Sequence, residues 1–233
     1  YFCIISHNTN NTIENVFDEI VIIDTGSTDK TLKLIKNFDL KLYHYNWDDN
    51  FANARNFAVS KCNSDYIFFI DADEELDASF NYTRMHYIFN IINASQYRHQ
   101  NIFTIIVEKK NQDVYKYVER IFKKNSHYRY FGNVHEEIRL NNIPQEPVSI
   151  AILIHHNGYE VEIINKKQKI NRNLKLLRLC QKVEPFNLRW YYFYLRDGIN
   201  HISQEELQCT QSKYSLSSII LQQTPTLNIM HNL

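Results

Sequence analysis

Four short runs in the first third of the chain, Phe2-Ile5, Ile20-Ile23, Leu40-Tyr45 and Tyr66-Ile70, are apolar or aromatic at most positions, and helix-like segments separate them. A strand with one wet face alternates apolar and polar residues. A nearly continuous apolar run instead needs cover on both faces, as in a parallel sheet flanked by crossover helices. The expected fold is therefore α/β, with a mostly parallel sheet flanked by helices. After Ile23 comes Asp24-Thr25-Gly26-Ser27-Thr28-Asp29, where Ser27 or Thr28 is placed to cap a helix. Asp29 complements that helix's dipole, and Leu32, Ile35 and Phe38 give it an apolar face. The link from Asn8 to Asp18 is short for a crossover between parallel strands, which usually takes a dozen residues or more.

Further strands are expected at Ile102-Val107, Val114-Phe122 and Val148-Ile154. Helices follow from about Lys166 to Val183 and from Asn187 onward, separated by Pro185. This reads as one domain over 1–160 and a small helical attachment with a tail over 161–233. The tail from Cys209 is rich in serine, glutamine and threonine and shows no period.

Composition removes several classes. A chain of 233 residues, 44% hydrophobic, can bury a real core without staples. Lysine plus arginine, 26, balance aspartate plus glutamate, 26, so no long-range field argues for nucleic acid or an anionic membrane as partner. Cys3, Cys62, Cys180 and Cys209 are far apart and form no zinc or disulfide framework, which makes a reducing, cytoplasmic setting the default. No apolar run reaches the roughly 18 residues needed to span a bilayer. Tyr1-Ile5 also lacks a signal peptide's basic start, and a soluble protein is expected. With glycine only at positions 26, 132, 158 and 198, neither a Gly-x-Gly-x-x-Gly loop nor a Walker loop can be written.

The chemistry-bearing residues stand at strand ends. Asp71-Ala72-Asp73 follows Tyr66-Ile70 directly, at the carboxyl end where open α/β sheets bind ligands. Two carboxylates two residues apart project to one side if the strand continues, and they are hard oxygen ligands for Mg2+ or Mn2+. A solvated acidic turn has the same composition, since Glu74, Glu75 and Asp77 extend the run. Asp24 ends an earlier buried strand, and Arg55 opens an amphipathic helix in Asn53-Ala54-Arg55-Asn56. A carboxylate and a planar guanidinium there suit a base or ribose, or simply a helix cap and a surface pair with Asp48 or Asp49. His156, after the Val148-Ile154 strand, is a candidate third metal ligand, preferred to His155 for its spacing to Gly158.

Three segments in series, Asp18-Glu19-Ile20-Val21-Ile22-Ile23-Asp24-Thr25-Gly26-Ser27-Thr28-Asp29, Phe51-Ala52-Asn53-Ala54-Arg55-Asn56 and Phe69-Ile70-Asp71-Ala72-Asp73-Glu74, resemble the signature of family 2 glycosyltransferases with the Rossmann-like GT-A fold. The likeness implies that Asp24, Arg55, Asp71 and Ala72 hold the nucleotide of a sugar donor. It also implies that Asp73 is the main metal ligand, with Asp71 beside it. The resemblance continues through Arg120-Ile121-Phe122, Phe131-Gly132-Asn133-Val134-His135-Glu136-Glu137 and His156-Asn157-Gly158-Tyr159, then through Glu184-Pro185 and Trp190. This wider pattern is similar to the glycocin glycosyltransferases, which attach hexoses to cysteine or serine of bacteriocin precursor peptides.

The resemblance implies an inverting displacement using a UDP-sugar, such as UDP-glucose, a divalent cofactor (Mg2+ or Mn2+), a Cys/Ser peptide acceptor and a homodimer. Glu136 is then the expected general base, with Glu137 as runner-up, and His135 positions the base or the sugar. Among the 16 tyrosines and 14 phenylalanines, Tyr128, Tyr130 and Phe131 precede that base and are expected to contact the acceptor; Tyr191-Tyr192-Phe193-Tyr194 reads as helix packing. Two other readings stand beside this one: the same donor half serving a saccharide or lipid-linked acceptor, and a non-catalytic interaction protein on the same scaffold.

Overall fold

The computed structural model describes residues 2–3, 16–71, 74–94, 102–109, 114–124, 127–156, 163–206 and 208. The chain divides into two compact units, Tyr1–Phe131 with Glu136–Val161, and Gly132–His135 with Glu162–Leu233. The segment 132–135 thus clusters with the helices that follow it in sequence.

The first unit is α/β with mixed sheets. Strands β1 (Phe2–Cys3), β2 (Val21–Asp24) and β3 (Lys41–His44) form one sheet in that order. β2 and β3 run parallel, from Val21 opposite Lys41 to Asp24 opposite His44, with helix α1 (Thr31–Ile35) between them in sequence. β1 runs antiparallel to β2, and the link noted from Asn8 lies, up to residue 15, outside the described residues. A five-stranded sheet has the order β4 (Tyr66–Phe68), β7 (Val114–Lys123), β6 (Ile102–Lys109), β11 (Val148–His156), β5 (Glu74–Leu76). Its β6–β11 ladder is parallel and its other ladders antiparallel, so the described pairing is mixed rather than mostly parallel.

The unbroken apolar runs have the cause expected of them. Ile67 and Phe69 pack into one buried cluster with Val21, Ile23, Ile102 and Phe122, while Phe68 and Ile70 pack into another with Phe103, Ile105 and Ile121. Successive residues therefore serve opposite faces, and each buried Ile or Phe contributes about 1.5–3 kcal/mol. Helix α2 (Phe51–Lys61) covers the first cluster with Ala52, Ala54, Ala58 and Val59. Its entry is fixed by Asn50, whose side chain accepts from the Asn53 amide at 2.9 Å. Helix α3 (Tyr82–Ala94) contributes Met85 and Ile92 to the second.

A third sheet joins β8 (Tyr128–Phe131), β9 (Glu137–Leu140) and β10 (Ile143–Pro144), all antiparallel. Asn141 and Asn142 turn the chain between β9 and β10 with φ of 50° and 67°, a left-handed pair that asparagine tolerates in a two-residue hairpin.

In the helical unit, α4 (Ile163–Val183) packs on α5 (Leu188–Gly198), whose N-terminus is capped by Asn187 Oδ1 accepting from the Arg189 amide at 3.1 Å. Trp190, Leu174, Leu177, Cys180, Tyr194 and Leu195 are buried there. Trp190 is further tied by its indole N–H, which donates to Glu184 at 2.8 Å. Gly132 sits at φ +102°, and a Cβ on it would stand 2.6 Å from the Trp190 ring. Gly132→Ala combines left-handed strain with a clash on a rigid indole, and is expected to destabilise the unit by about 2–4 kcal/mol, read from urea unfolding. No helix among the described residues is long and apolar enough to cross a membrane. The Ser/Gln/Thr-rich tail from Cys209 lies outside the described residues.

Candidate active site

Asp24 is the last residue of β2, buried at 5% exposure. Its carboxylate accepts from the amides of Gly26 at 3.3 Å and Ser27 at 3.0 Å, and from the Ser27 hydroxyl. Gly26 turns the chain away at φ +112°. Ser27 therefore closes the loop onto Asp24 and does not cap α1, whose N-cap residue, Lys30, makes no side-chain cap. His44, the register partner of Asp24 on β3, brings its Nδ1 to 3.2 Å from the same carboxylate. Burial pushes the Asp24 carboxyl up, but the bonds from Ser27, His44 and Gly26 outweigh it and hold the group ionised below its ordinary range.

The second strand end carries a denser arrangement. β4 runs on past Phe68, with the Phe69 amide donating to the Arg120 carbonyl of β7 at 2.8 Å, and Asp71 follows. Arg55, on the second turn of α2, is almost entirely buried and lies over the rings of Phe69 at 4.9 Å and Tyr130 at 5.6 Å. Its Nε donates to Glu136 Oε1, and its Nη2 donates to Asp71 Oδ1 at 3.2 Å. The other Asp71 oxygen, Oδ2, stands 2.8 Å from Nη2 of Arg120. That same nitrogen of Arg120 donates to Glu74 Oε1, and Glu74 Oε2 accepts from the Asp71 amide at 2.9 Å. Glu74 on one edge strand thus meets Arg120 on the strand next to the opposite edge, which requires the five-stranded sheet to curl.

The electrostatics follow from burial and pairing. Burial pushes the Asp71 carboxyl up, but the Arg120 and Arg55 guanidiniums outweigh it and hold it well below the usual carboxylate range. Burial weakens the hold of Arg55 on its proton, and Glu136 and Asp71 more than restore it. The result is a chain of fixed charges in which one guanidinium links the acid at a strand end to a glutamate that lies 81 residues beyond the arginine itself.

Asn56 locks this arrangement to the third sheet. Its side-chain amide donates to the Tyr130 carbonyl at 2.9 Å and accepts from the Tyr130 amide at 2.8 Å. Tyr128 and Tyr130, expected to contact an acceptor, are instead core residues at 2% and 6% exposure, packed around Phe69 and Phe122. Rings so covered offer no surface to an acceptor. Phe131 is half-buried beneath Arg139, whose guanidinium lies 4.7 Å from its ring.

The adjacent glutamates are separated by their partners. Glu136 joins Arg55 in the charged cluster, whereas Glu137, on β9, accepts from Arg139 at 2.8 Å and is buried with it. His135 belongs to the helical unit and has φ +52°. Its Nε2 is 2.6 Å from Asp197, its ring stacks on Phe193 at 4.3 Å, and its carbonyl accepts from Arg189 at 3.0 Å. Burial raises the Asp197 carboxyl, but His135 and Arg196 bring it down to about 2. His155 pairs with Asp77 at 2.7 Å. His156, in register with Glu74, has the strand position of Ile152 and Ile154, opposite in sense to His155.

Ala72 and Asp73 lie outside the described residues. Among the described residues no three His, Cys, Asp or Glu side chains stand close enough together to hold an ion. The donor chemistry still fits a hard divalent cation: Asp71 is a fixed carboxylate whose oxygens each keep a second lone pair, Asp73 follows two residues on, and His156 ends the strand paired with β5. Arg120, Glu74, His44 and Asn56 were given no role by sequence reasoning; the one sign of the first was a lone arginine inside a strand otherwise rich in apolar residues.

A family model described as glycosyl transferase family 2 matches residues 3–138. The chain is 28% identical over 190 residues to the SPbeta prophage-derived glycosyltransferase SunS of Bacillus subtilis, a match covering 80% of this chain and 44% of that protein. It is also 25% identical over 204 residues to an uncharacterized glycosyltransferase of Rickettsia conorii, covering 78% of this chain and 71% of that one. A shorter match, 41% over 64 residues, links 28% of the chain to 16% of a TPR repeat-containing protein of Synechococcus elongatus. The chain spans less than half the length of SunS. With strand-end acids, a buried arginine and a family match over more than half its residues, the chain belongs to glycosyl transferase family 2.

Proposed function

We propose that this chain carries the donor site and catalytic centre of an inverting, metal-dependent glycosyltransferase that moves a hexose from a UDP-sugar, UDP-glucose foremost, to a cysteine or serine of a bacteriocin precursor peptide. The observation that carries the reading is the guanidinium of Arg55, which holds Asp71 at the strand end and Glu136 at once. Donor-side acid and general base then stand on one rigid support, as a direct displacement needs.

In this reading Asp24 and Asp71 accept from the nucleoside. Asp73, with Asp71 and His156, would hold the divalent ion, which supplies positive charge against the diphosphate. Glu136 takes the proton of the acceptor thiol or hydroxyl. The acceptor sulfur or oxygen bonds to the anomeric carbon as that carbon's bond to the diphosphate oxygen breaks, and UDP departs with the electron pair. Arg55 occupies one oxygen of Glu136 and leaves the other as an acceptor. His135, bound to Asp197 and Phe193, serves this reading as a support for its own segment.

The peptide acceptor rests on the resemblance to glycocin enzymes. A saccharide or lipid-linked acceptor, served by the same donor half, is the second reading. Donor-dependent mass gain on a Cys/Ser peptide separates the two.

The test is calorimetric binding of UDP and UDP-glucose with and without Mn2+, for the wild type and Asp73→Ala. Binding is expected to require the ion and to weaken at least about tenfold in the variant, a loss of about 1.4 kcal/mol. A chain that binds no nucleotide sugar with any divalent ion sinks the catalytic reading and leaves the interaction-protein alternative.

A further inference from the structure

Arg120 and Glu74 take no part in the displacement as written, yet they are buried charges in contact with Asp71. Arg120 is 9% exposed and Glu74 is 2% exposed. Two ionised side chains are rarely covered so completely unless each is fully paired. As simple glue the pair is a poor choice, because well-packed apolar residues of similar volume usually support a fold at least as well.

Their geometry gives them a more particular use. One nitrogen, Nη2 of Arg120, reaches both Asp71 Oδ2 at 2.8 Å and Glu74 Oε1. Glu74 closes the ring through two bonds to the backbone of Asp71: its Oε2 accepts from the Asp71 amide at 2.9 Å, and its own amide donates to the Asp71 carbonyl at 2.9 Å. The Asp71 amide, carbonyl and carboxylate are thus each held by this pair, while Arg55 holds the remaining carboxylate oxygen from α2. A carboxylate leaving the end of a strand has free backbone and side-chain torsions. Here nearly all of that freedom is removed before any ligand arrives, which is the condition for binding without an ordering cost.

We infer that Arg120 and Glu74 are positioning residues for the donor: they form a clamp that pre-sets Asp71 for the nucleoside of the sugar nucleotide, separately from any contribution to folding. The inference rests on the proposed donor site. The clamp acts through Asp71 and touches no reacting atom.

The test compares stability with UDP affinity, measured by urea unfolding and by calorimetry in the presence of Mn2+, for Arg120→Met, Glu74→Leu, the double variant and Arg120→Lys. Each single apolar variant removes one partner of a buried ion pair and is expected to lower the unfolding midpoint. The double variant removes both charges of that pair together and is expected to recover most of that loss. UDP affinity does not recover: it stays at least about tenfold below wild type in the double variant, because Asp71 has lost its clamp. Recovery of stability and affinity together overturns the inference and makes the pair structural. If the double variant fails to fold, Arg120→Lys decides. It keeps the charge on a shorter side chain whose ammonium does not reach the position of Nη2 between the two carboxylates, so a folded Arg120→Lys protein with weakened UDP binding supports the clamp, and wild-type affinity overturns it. A wild-type chain that binds no uridine nucleotide removes the donor reading and this inference with it, whereas a binding wild type with unaffected variants removes the clamp alone.

Discussion

Arg55→Met is expected to unfold at markedly lower urea and to transfer no detectable sugar. Arg55 contacts both Asp71 and Glu136, and its side chain and that of Glu136 are largely buried, with 9% and 12% exposure against 32% for Asp71. Removing one partner from a buried ion pair leaves uncompensated charge, at a cost of about 3–5 kcal/mol. Methionine fills the space between Phe69 and Tyr130, so the loss reports charge and hydrogen bonding rather than a cavity. Arg55→Lys separates the two consequences. Lysine retains a positive charge but offers a single point in place of a fork, and the contacts here need Nε toward Glu136 and Nη2 toward Asp71. Most of the stability is expected to survive in the lysine variant while transfer falls at least about a hundredfold, since a small misplacement of reacting groups costs that much. An Arg55→Met protein as stable as the wild type contradicts the buried-charge account.

Arg55 also shows what the chain disclosed before its structure was known. Its helix was expected at Asn53-Ala54-Arg55-Asn56, and the structure adds the Asn50 cap and the buried alanines that seat it. The strand-end acids were legible because Ile20-Ile23 and Tyr66-Ile70 are apolar without alternation, which left Asp24 and Asp71 at the boundary between core and site. What each charge pairs with was not legible. Arg120 meets Glu74 across 46 residues of sequence, and His44 reaches Asp24 across 20, distances at which no local period speaks. A lone arginine between Val118 and Phe122 announces only that a buried partner exists.

The exposure of aromatic rings was equally hidden. Tyr128 and Tyr130 occupy β8, a four-residue strand whose outward Arg129 gives it the look of a loop, and a tyrosine suits a core as well as a binding face. The Glu136-Glu137 pair was ambiguous for the same reason. Only the partners, Arg55 for one and Arg139 for the other, tell the two glutamates apart.

Glu136→Gln tests that division directly. Glutamine preserves shape and an oxygen that accepts from Arg55 Nε, so the variant is expected to fold and to bind UDP with wild-type affinity. It cannot take a proton. Transfer to a serine acceptor is therefore expected to fall by about 10²–10⁴, the range that a positioned general base contributes. A cysteine acceptor is less dependent on the base, because a thiol with a pKa of about 8.5 is already a few per cent thiolate at neutral pH. The Glu136→Gln defect on cysteine is expected to be smaller, and it should shrink further as pH rises through about 8.5 and solution supplies the thiolate. Glu137→Gln, which weakens the buried Glu137–Arg139 ion pair, is expected to show the opposite pattern of lowered stability with transfer per folded molecule retained. Equal serine transfer by Glu136→Gln and the wild type places the base elsewhere. A large, pH-independent loss on both acceptors assigns Glu136 to holding Arg55 in register, since the supply of nucleophile then no longer limits the rate.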